Sequence, residues 1–325
     1  MNLPVYPHAS VANLSSLALA LGLSLKELHE LASTSDDYYF LTRKIEKPDG
    51  SLRLTYDAQP ILKAVHGKIS EVFLKKVDYP RFLQGSIKKR DYISDAKQHV
   101  SSKVLISEDI TNFFPSISKK VVHEVWVGVF GFSNEVADLL AELVTYQGYV
   151  VQGSKTSSYI CNLVLWKREA ELVSKLEAKG FTYTRYVDDV TVSTKRIVSK
   201  AEKSEIINSI YSLFRSVGAK PNRKKHKVMP RNNRQEVHGV NVNKTAPTMP
   251  KKARDQIRAA VHQCELAFGD DPTTSEYQSA YNSAMGRVNT MGRMHEKEAR
   301  DLRARLAAVK PVSGNRHGTI KHNGA

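Results

Sequence analysis

Apolar positions along the chain change period several times, and each change predicts a different element. Residues 10–34 carry apolar residues at helical spacing and predict two short helices, the second opening at Ser24-Leu-Lys-Glu27, a capping-box pattern. From Tyr38 to Tyr56 the pattern turns to strands. Tyr38-Tyr-Phe-Leu41, a Lys47-Pro-Asp-Gly50 turn and Leu52-Arg-Leu-Thr-Tyr56 read as a hairpin with Pro and Gly where a turn needs them. Ile61, Leu62, Val65, Ile69, Val72 and Phe73 then line one face of a helix. Val104-Leu-Ile106 reads as a buried strand leading into Ser107-Glu-Asp-Ile-Thr-Asn-Phe-Phe-Pro115. Helices are predicted over 118–130 and 133–146, another from Gln152-Gly153 to about Leu176, and another from Lys200 to about Val217. Short strands are predicted around Val237 and Val242, and from Pro250 the chain reads as helical and basic, ending in a polar tail from Ser313.

The most informative stretch is Phe181-Thr-Tyr-Thr-Arg-Tyr-Val-Asp-Asp-Val-Thr-Val-Ser193. β-Branched and aromatic residues on both sides of a polar pair predict a hairpin with Asp188-Asp189 at its turn. Hairpin turns favour Asn-Gly or Asp-Gly, and two adjacent carboxylates repel more strongly as the local dielectric falls. Such a pair in an apolar hairpin answers a cation.

Charge sharpens this picture. The 325 residues carry 49 Lys and Arg against 33 Asp and Glu, a net charge of +16, which draws a protein toward polyanions, nucleic acid first. The apolar fraction of 41% is ordinary for a globular chain, and no apolar run approaches the ~20 residues that span a bilayer. Two cysteines, Cys161 and Cys264, make neither a disulfide framework nor a zinc site and fit a reducing cytoplasm.

A third acid completes a site for two Mg²⁺ ions, which in-line phosphoryl transfer places about 3.5–4 Å apart. Asp109, at the end of the Val104–Ile106 strand, is the candidate. Side chains alternate along a strand, so Glu108 points to the opposite face. Glu108 and Asp109 could equally cap the following helix.

In combination the motifs are more specific. Asp109-Ile-Thr-Asn-Phe-Phe114 resembles motif A of reverse transcriptases, Gln152-Gly153 their motif B, and Tyr186-Val-Asp-Asp189 their YxDD motif C. Gly218-x-x-x-Asn222-x-x-Lys225 resembles motif D, and the four stand in the family order. The resemblance implies an α+β, right-hand polymerase fold with fingers, a ferredoxin-like palm sheet and a helical thumb. It implies an N-terminal helical extension over 1–37, fingers and palm over 38–245, a basic thumb over 246–312 and a flexible tail over 313–325. Asp109 and Asp188 would be the main Mg²⁺ ligands, assisted by the Ile110 carbonyl, with Asp189 a nearby acid. Phe114 would be an aromatic steric gate selecting dNTP over rNTP, with Phe113 a core residue. Arg53 would grip the triphosphate with Lys47 assisting, Gln152 and Gly153 would contact the nucleotide and template, and Lys225 would lie near the leaving pyrophosphate.

Two further stretches resemble the retron branch. Asp95-Ala-Lys-Gln-His99 is similar to its NAxxH element and Val237-His-Gly239 to its VTG element, which makes His99 and His238 candidate RNA contacts. Motif B lacks the usual Pro before Gln152, Val187 stands where retrons usually carry Ala, and His226 replaces the Thr often found after Lys225. The retron resemblance implies a structured non-coding RNA as template and primer. Synthesis from a guanosine 2′-OH would give a branched RNA–DNA, and such systems serve anti-phage defence with a separate effector protein. Lys251, Lys252, Arg254 and Arg258 on the first thumb helix would grip the RNA duplex. The length leaves room for no RNase H, integrase, protease or endonuclease domain. The alternatives are another defence-associated or intron-type bacterial reverse transcriptase, and a non-catalytic RNA-binding protein.

Overall fold

The structure is a computed structural model that describes residues 3–47 and 50–312. The expected 313–325 tail and the Pro48-Asp49 tip of the first turn lie outside the described residues. The chain divides into two compact units, Met1–Val237 and His238–Ala325.

The first unit begins with helices α1 (Leu14–Leu21) and α2 (Leu25–Ser33). The capping box expected at Ser24 is present: its hydroxyl accepts from the Glu27 amide, and the Glu27 carboxylate accepts from the Ser24 amide. Strands β1 (Tyr39–Glu46) and β2 (Leu52–Ala58) form the predicted antiparallel hairpin, with an irregularity between Leu41 and Arg43. Helix α3 (Pro60–Val72) follows. Its buried stripe is Leu62, Val65, His66 and Ile69, whereas Ile61, expected on that face, is 53% exposed. Ile61 lies in the first turn, at the edge of the stripe, and the polar His66 takes a central core position instead.

The central sheet is antiparallel. After α4 (Tyr92–Gln98), β3 (Val104–Thr111) is its pivot. Short helices and loops lead through α5 (Phe113–Ser116), α6 (Lys119–Gly128), α7 (Asn134–Val144), α8 (Ser157–Leu163) and α9 (Trp166–Ala178) to β4 (Thr182–Tyr186) and β5 (Asp189–Thr194). Strand order is β4-β5-β3, and β3 pairs on its other side with β6 (Lys220–Pro221) and β7 (Lys227–Pro230), which follow α10 (Lys200–Arg215). A core including Ile106, Trp126, Leu140, Val190 and Phe214 packs helices against this sheet. Mixed helices and an antiparallel sheet make the unit α+β, as expected.

The helix expected from Gln152 to Leu176 is two helices preceded by a turn. Gly153 has φ +115°, which no helix accommodates, so α8 starts only at Ser157, and a break at Val164-Leu165 separates it from α9. The second unit packs α11 (Lys251–Phe268), α12 (Ser275–Gly292) and α13 (Glu296–Ala308) around Ile257, Val261, Tyr281, Val288, Leu302 and Leu306. Among the described residues no helix is long and apolar enough to cross a membrane.

Candidate active site

Register brings the acids together. Strand β3 pairs with β5 so that Asp109 lies opposite Asp189, and within the hairpin Tyr186 lies opposite Asp189. The turn is therefore Val187-Asp188, one residue earlier than the sequence pattern suggested, and Asp189 opens β5. Val187 takes the positive φ, +57°, a conformation unusual for a β-branched side chain. The Ile110 amide donates to the Asp188 carbonyl at 3.1 Å, tying the turn to the pivot strand.

Burial raises the Asp188 pKa first, and the nearby Asp109 carboxylate raises it further; Lys225 and Arg53 oppose the rise. Lys225 donates to Asp109 Oδ2 at 2.6 Å and Asn222 Nδ2 to Asp109 Oδ1 at 2.9 Å. The hydrogen bond to Asp109 is the main reason the Lys225 pKa is raised, with Asp109, Asp189 and Asp188 adding attraction. Glu108 faces the other way: it is buried, meets His226 Nδ1 at 2.5 Å, and its pKa is raised chiefly by burial. The 222–226 loop is thus fastened to both faces of β3, by Lys225 on Asp109 and by His226 on Glu108.

Residues from the β1–β2 hairpin converge on the same sheet end. Arg53, on β2, is close enough to influence Asp188. Lys47 donates to Asn112 Oδ1 at 3.1 Å, beside the one-turn helix that carries Phe113 and Phe114. Phe113 is buried and Phe114 half-buried, so only the second ring is available to a ligand. The Gln152 carbonyl accepts from the Tyr56 amide at 2.8 Å, and a Cβ built on Gly153 would lie 2.3 Å from the Tyr56 carbonyl oxygen. Glycine is required there because the loop backbone lies directly against β2.

Behind that loop stands His66, which sequence reasoning passed over as part of an apolar helix. Its Nε2 lies 2.6 Å from the Leu143 carbonyl, which can only accept, so Nε2 carries the proton and Nδ1 accepts from the Ser154 hydroxyl at 3.2 Å. Burial pushes its pKa down to about 4. His66 thus stays neutral while supporting the residue after Gly153. Its one sequence signal is a polar residue at a core position of an amphipathic helix.

Other expected site residues fall elsewhere. His99 requires correction as an RNA contact: it is 0% exposed, with Nδ1 2.8 Å from Ser193 Oγ and Nε2 2.7 Å from Thr184 Oγ1. An imidazole with both nitrogens engaged inside the sheet ties β4 to β5 and cannot reach RNA. In the second unit His238 is half-buried at φ +48°, and Lys251 and Lys252 are exposed on α11. Arg254 pairs with Glu298 at 2.9 Å, and Arg258 pairs with Glu298 and Asp255, so both guanidiniums already have acidic partners.

Among the described residues no cluster of three or more His, Cys, Asp or Glu stands ready as a metal cage. Asp109 and Asp188 nevertheless suit a hard divalent cation: two oxygen donors repel each other, and a cation from the protein already answers one of them. An ion held there would complete its shell with water and substrate phosphates.

Comparison with known proteins gives the family. Residues 45–242 match the family model described as reverse transcriptase (RNA-dependent DNA polymerase). The chain is 32% identical over 323 residues to the retron Ec48 reverse transcriptase of Escherichia coli, covering 95% of this chain and 79% of that protein. It is 32% identical over 315 residues to the retron Se72 reverse transcriptase of Salmonella heidelberg (strain 579083-10), covering 96% of this chain and 83% of that one. Among solved structures, telomerase from Candida albicans in complex with a telomeric RNA fragment aligns with TM-score 0.44 and 12% identity, over 87% of this chain and 59% of that chain.

Proposed function

This chain belongs to the retron reverse transcriptases and is an RNA-directed DNA polymerase, and from that premise we propose how its residues carry out the reaction and on what substrate. The observation that carries the proposal is the meeting of Asp109 and Asp188 at one end of the β3–β5 pair, under the influence of Arg53 and Lys225.

Asp109, Asp188, the Ile110 carbonyl and, less directly, Asp189 would hold two Mg²⁺ ions. Metal bound there would supply Lewis acidity at the α-phosphate and lower the pKa of the attacking hydroxyl. That hydroxyl gives up its proton to solvent as its oxygen forms the new P–O bond to the α-phosphorus of a dNTP, the α–β bridge breaks, and pyrophosphate leaves. Arg53, with a planar fork suited to phosphate, and Lys47 hold the triphosphate. Lys225 meets charge on the leaving pyrophosphate. Phe114 lies under the sugar, while Gln152 and Gly153 line the nucleotide and template side.

The template is a structured non-coding RNA, primed from the 2′-OH of one of its guanosines to give a branched RNA–DNA in the cytoplasm, in anti-phage defence with a separate effector protein. The chain is arranged as an extension (1–37), fingers and palm (38–245) and thumb (246–312). Lys251 and Lys252 on α11, with His238, contact the RNA; Arg254 and Arg258 reach it only by sharing their acidic partners.

The test is a denaturing gel of RNase-treated nucleic acid from cells carrying the gene with its native flanking DNA, beside Asp188→Ala/Asp189→Ala. A discrete short DNA, seen only in the wild type and shifted by debranching enzyme, is expected. A purified enzyme that extends primers on RNA while such DNA is absent would overturn the retron product and leave the polymerase.

A further inference from the structure

Strand β4 carries an arginine where a strand core expects an apolar side chain. Arg185 is 0% exposed. Its Nε donates to Glu169 Oε1 at 2.5 Å and its Nη2 to Glu169 Oε2 at 2.7 Å, a fork-to-fork pair with a buried carboxylate on α9. The Tyr183 hydroxyl donates to the same Oε1 at 2.7 Å. Three donors remain, and each meets a backbone carbonyl: Nη1 to Val187 at 3.0 Å and Cys161 at 3.1 Å, Nη2 to Asn162 at 2.9 Å. All five N–H groups of the guanidinium are engaged.

Stability alone gives little reason for this arrangement, since a buried ion pair replaced by apolar side chains of similar volume is often neutral or stabilising. What apolar side chains cannot do is hold three carbonyls. One belongs to Val187, the residue at φ +57° that immediately precedes Asp188. The other two belong to the last residues of α8, whose final carbonyls lack partners within the helix. That helix follows the Gln152–Thr156 turn, so one guanidinium joins the nucleotide-side loop to the turn bearing Asp188.

A second observation points to the same turn. Gly85 lies so close behind it that an added Cβ would sit 2.5 Å from Val187 Cγ2 and 2.8 Å from the Val187 amide nitrogen. Asn162 Nδ2, in turn, donates to the Gly85 carbonyl at 2.7 Å. The turn is held at its carbonyl by Arg185 and walled at its side chain by Gly85, which confines Val187 to a backbone conformation a free β-branched residue avoids.

We infer that Arg185, with Glu169 as its counter-ion, is a positioning residue that sets the Val187-Asp188 turn and so the place of the Asp188 carboxylate relative to Asp109. The inference rests on the reading of Asp188 as a metal ligand. Lys at this position could keep the charge but not the five-donor fork.

The test uses the full-length protein in primer extension on RNA, with kcat, KM for dNTP and the Mg²⁺ concentration for half-maximal rate measured well below each variant's melting temperature. Arg185→Lys is expected to lower kcat by about 10²-fold, as displacement of a reacting group does. The Mg²⁺ requirement is expected to rise on the order of 10-fold, as when a group supporting a metal ligand is lost, with KM for dNTP little changed. Arg185→Met/Glu169→Met removes the pair without stranding a charge and guards against loss of folding; it is expected to show the same defect. Gly85→Ala, which leaves the pair intact and pushes the turn from the other side, should reproduce it. Wild-type kcat and Mg²⁺ dependence in a folded Arg185 variant, or in Gly85→Ala should neither Arg185 variant fold, would reduce Arg185 to a core residue and overturn the inference. A defect confined to KM for dNTP would do the same. Asp188→Asn serves as the control: synthesis surviving in it would count against the metal-ligand reading itself.

Discussion

Adjacent residues at this site are assigned by strand alternation and exposure. Phe113 is core, whereas Phe114 is half-buried next to the Lys47–Asn112 contact. Removing the Phe114 ring leaves room for a 2′-OH while the core ring stays in place. Phe114→Ala is therefore expected to incorporate ribonucleotides, read in a competition assay between rNTP and dNTP; undiminished discrimination would exclude it as the gate. His66 makes a pH prediction. Its pKa falls from about 6.5 in the unfolded chain to about 4 in the folded one, so the unfolded state binds more protons between those values. Stability from this group is complete above about pH 6.5 and is lost progressively as pH falls to about 4, by up to on the order of 3 kcal/mol. Melting temperatures across that window should fall in the wild type and fall less steeply in His66→Gln. The acids were legible in the sequence because their types and spacing repeat a known pattern. His66 and Arg185 were not: an imidazole in an apolar helix and a cation in a strand of a +16 protein read as incidental until their partners, many residues away, are seen.

Among elements, the hairpins and most helices follow from periodicity, and the departures have local causes. Polar pairs mark turns, which points to Asp188-Asp189 at the hairpin tip, but pairing of Tyr186 with Asp189 moves the turn to Val187-Asp188. The sequence could not signal this, since the strain at Val187 is borne by contacts from Arg185 and Gly85. The late start of α8 has a similar origin: Gly153 reads as a helix opening, yet its backbone is fitted against β2. Gly153→Ala would place its Cβ against both the Tyr56 carbonyl and Thr55 Cγ2, at φ +115°. Because the β1–β2 hairpin or the loop must then shift, kcat/KM for dNTP is expected to fall on the order of 10²-fold in steady-state extension assays. Normal incorporation by this variant would mean the loop and β2 move without consequence for the nucleotide.

Across the whole molecule, net charge and motif order carried most of the functional reading, because attraction to polyanions and the motifs of a polymerase family leave marks in composition and spacing. Charge count alone, however, cannot tell a phosphate-binding cation from one engaged by a carboxylate. Arg254 and Arg258 looked equivalent to Lys251 and Lys252 along α11 until Glu298 was seen between the arginines. Lys251→Ala/Lys252→Ala is accordingly expected to weaken RNA binding and flatten the plot of log affinity against log salt by about one unit per lysine, with melting temperature unchanged. Arg254→Ala should instead lower the melting temperature, since it leaves a half-buried Glu298 short of a partner.

The central claim is that Asp109 on β3 and Asp188 in the turn beside it, tied to β3 through the Ile110 amide, make this chain an RNA-templated DNA polymerase. Its most direct test is extension of an annealed primer on an RNA template by the purified protein with dNTP and Mg²⁺, wild type beside Asp188→Asn. The expected result is template-directed DNA synthesis by the wild type and none above background in a variant that melts at a similar temperature. Equal synthesis by both proteins would contradict the assignment of the site, and synthesis by neither would contradict the polymerase activity.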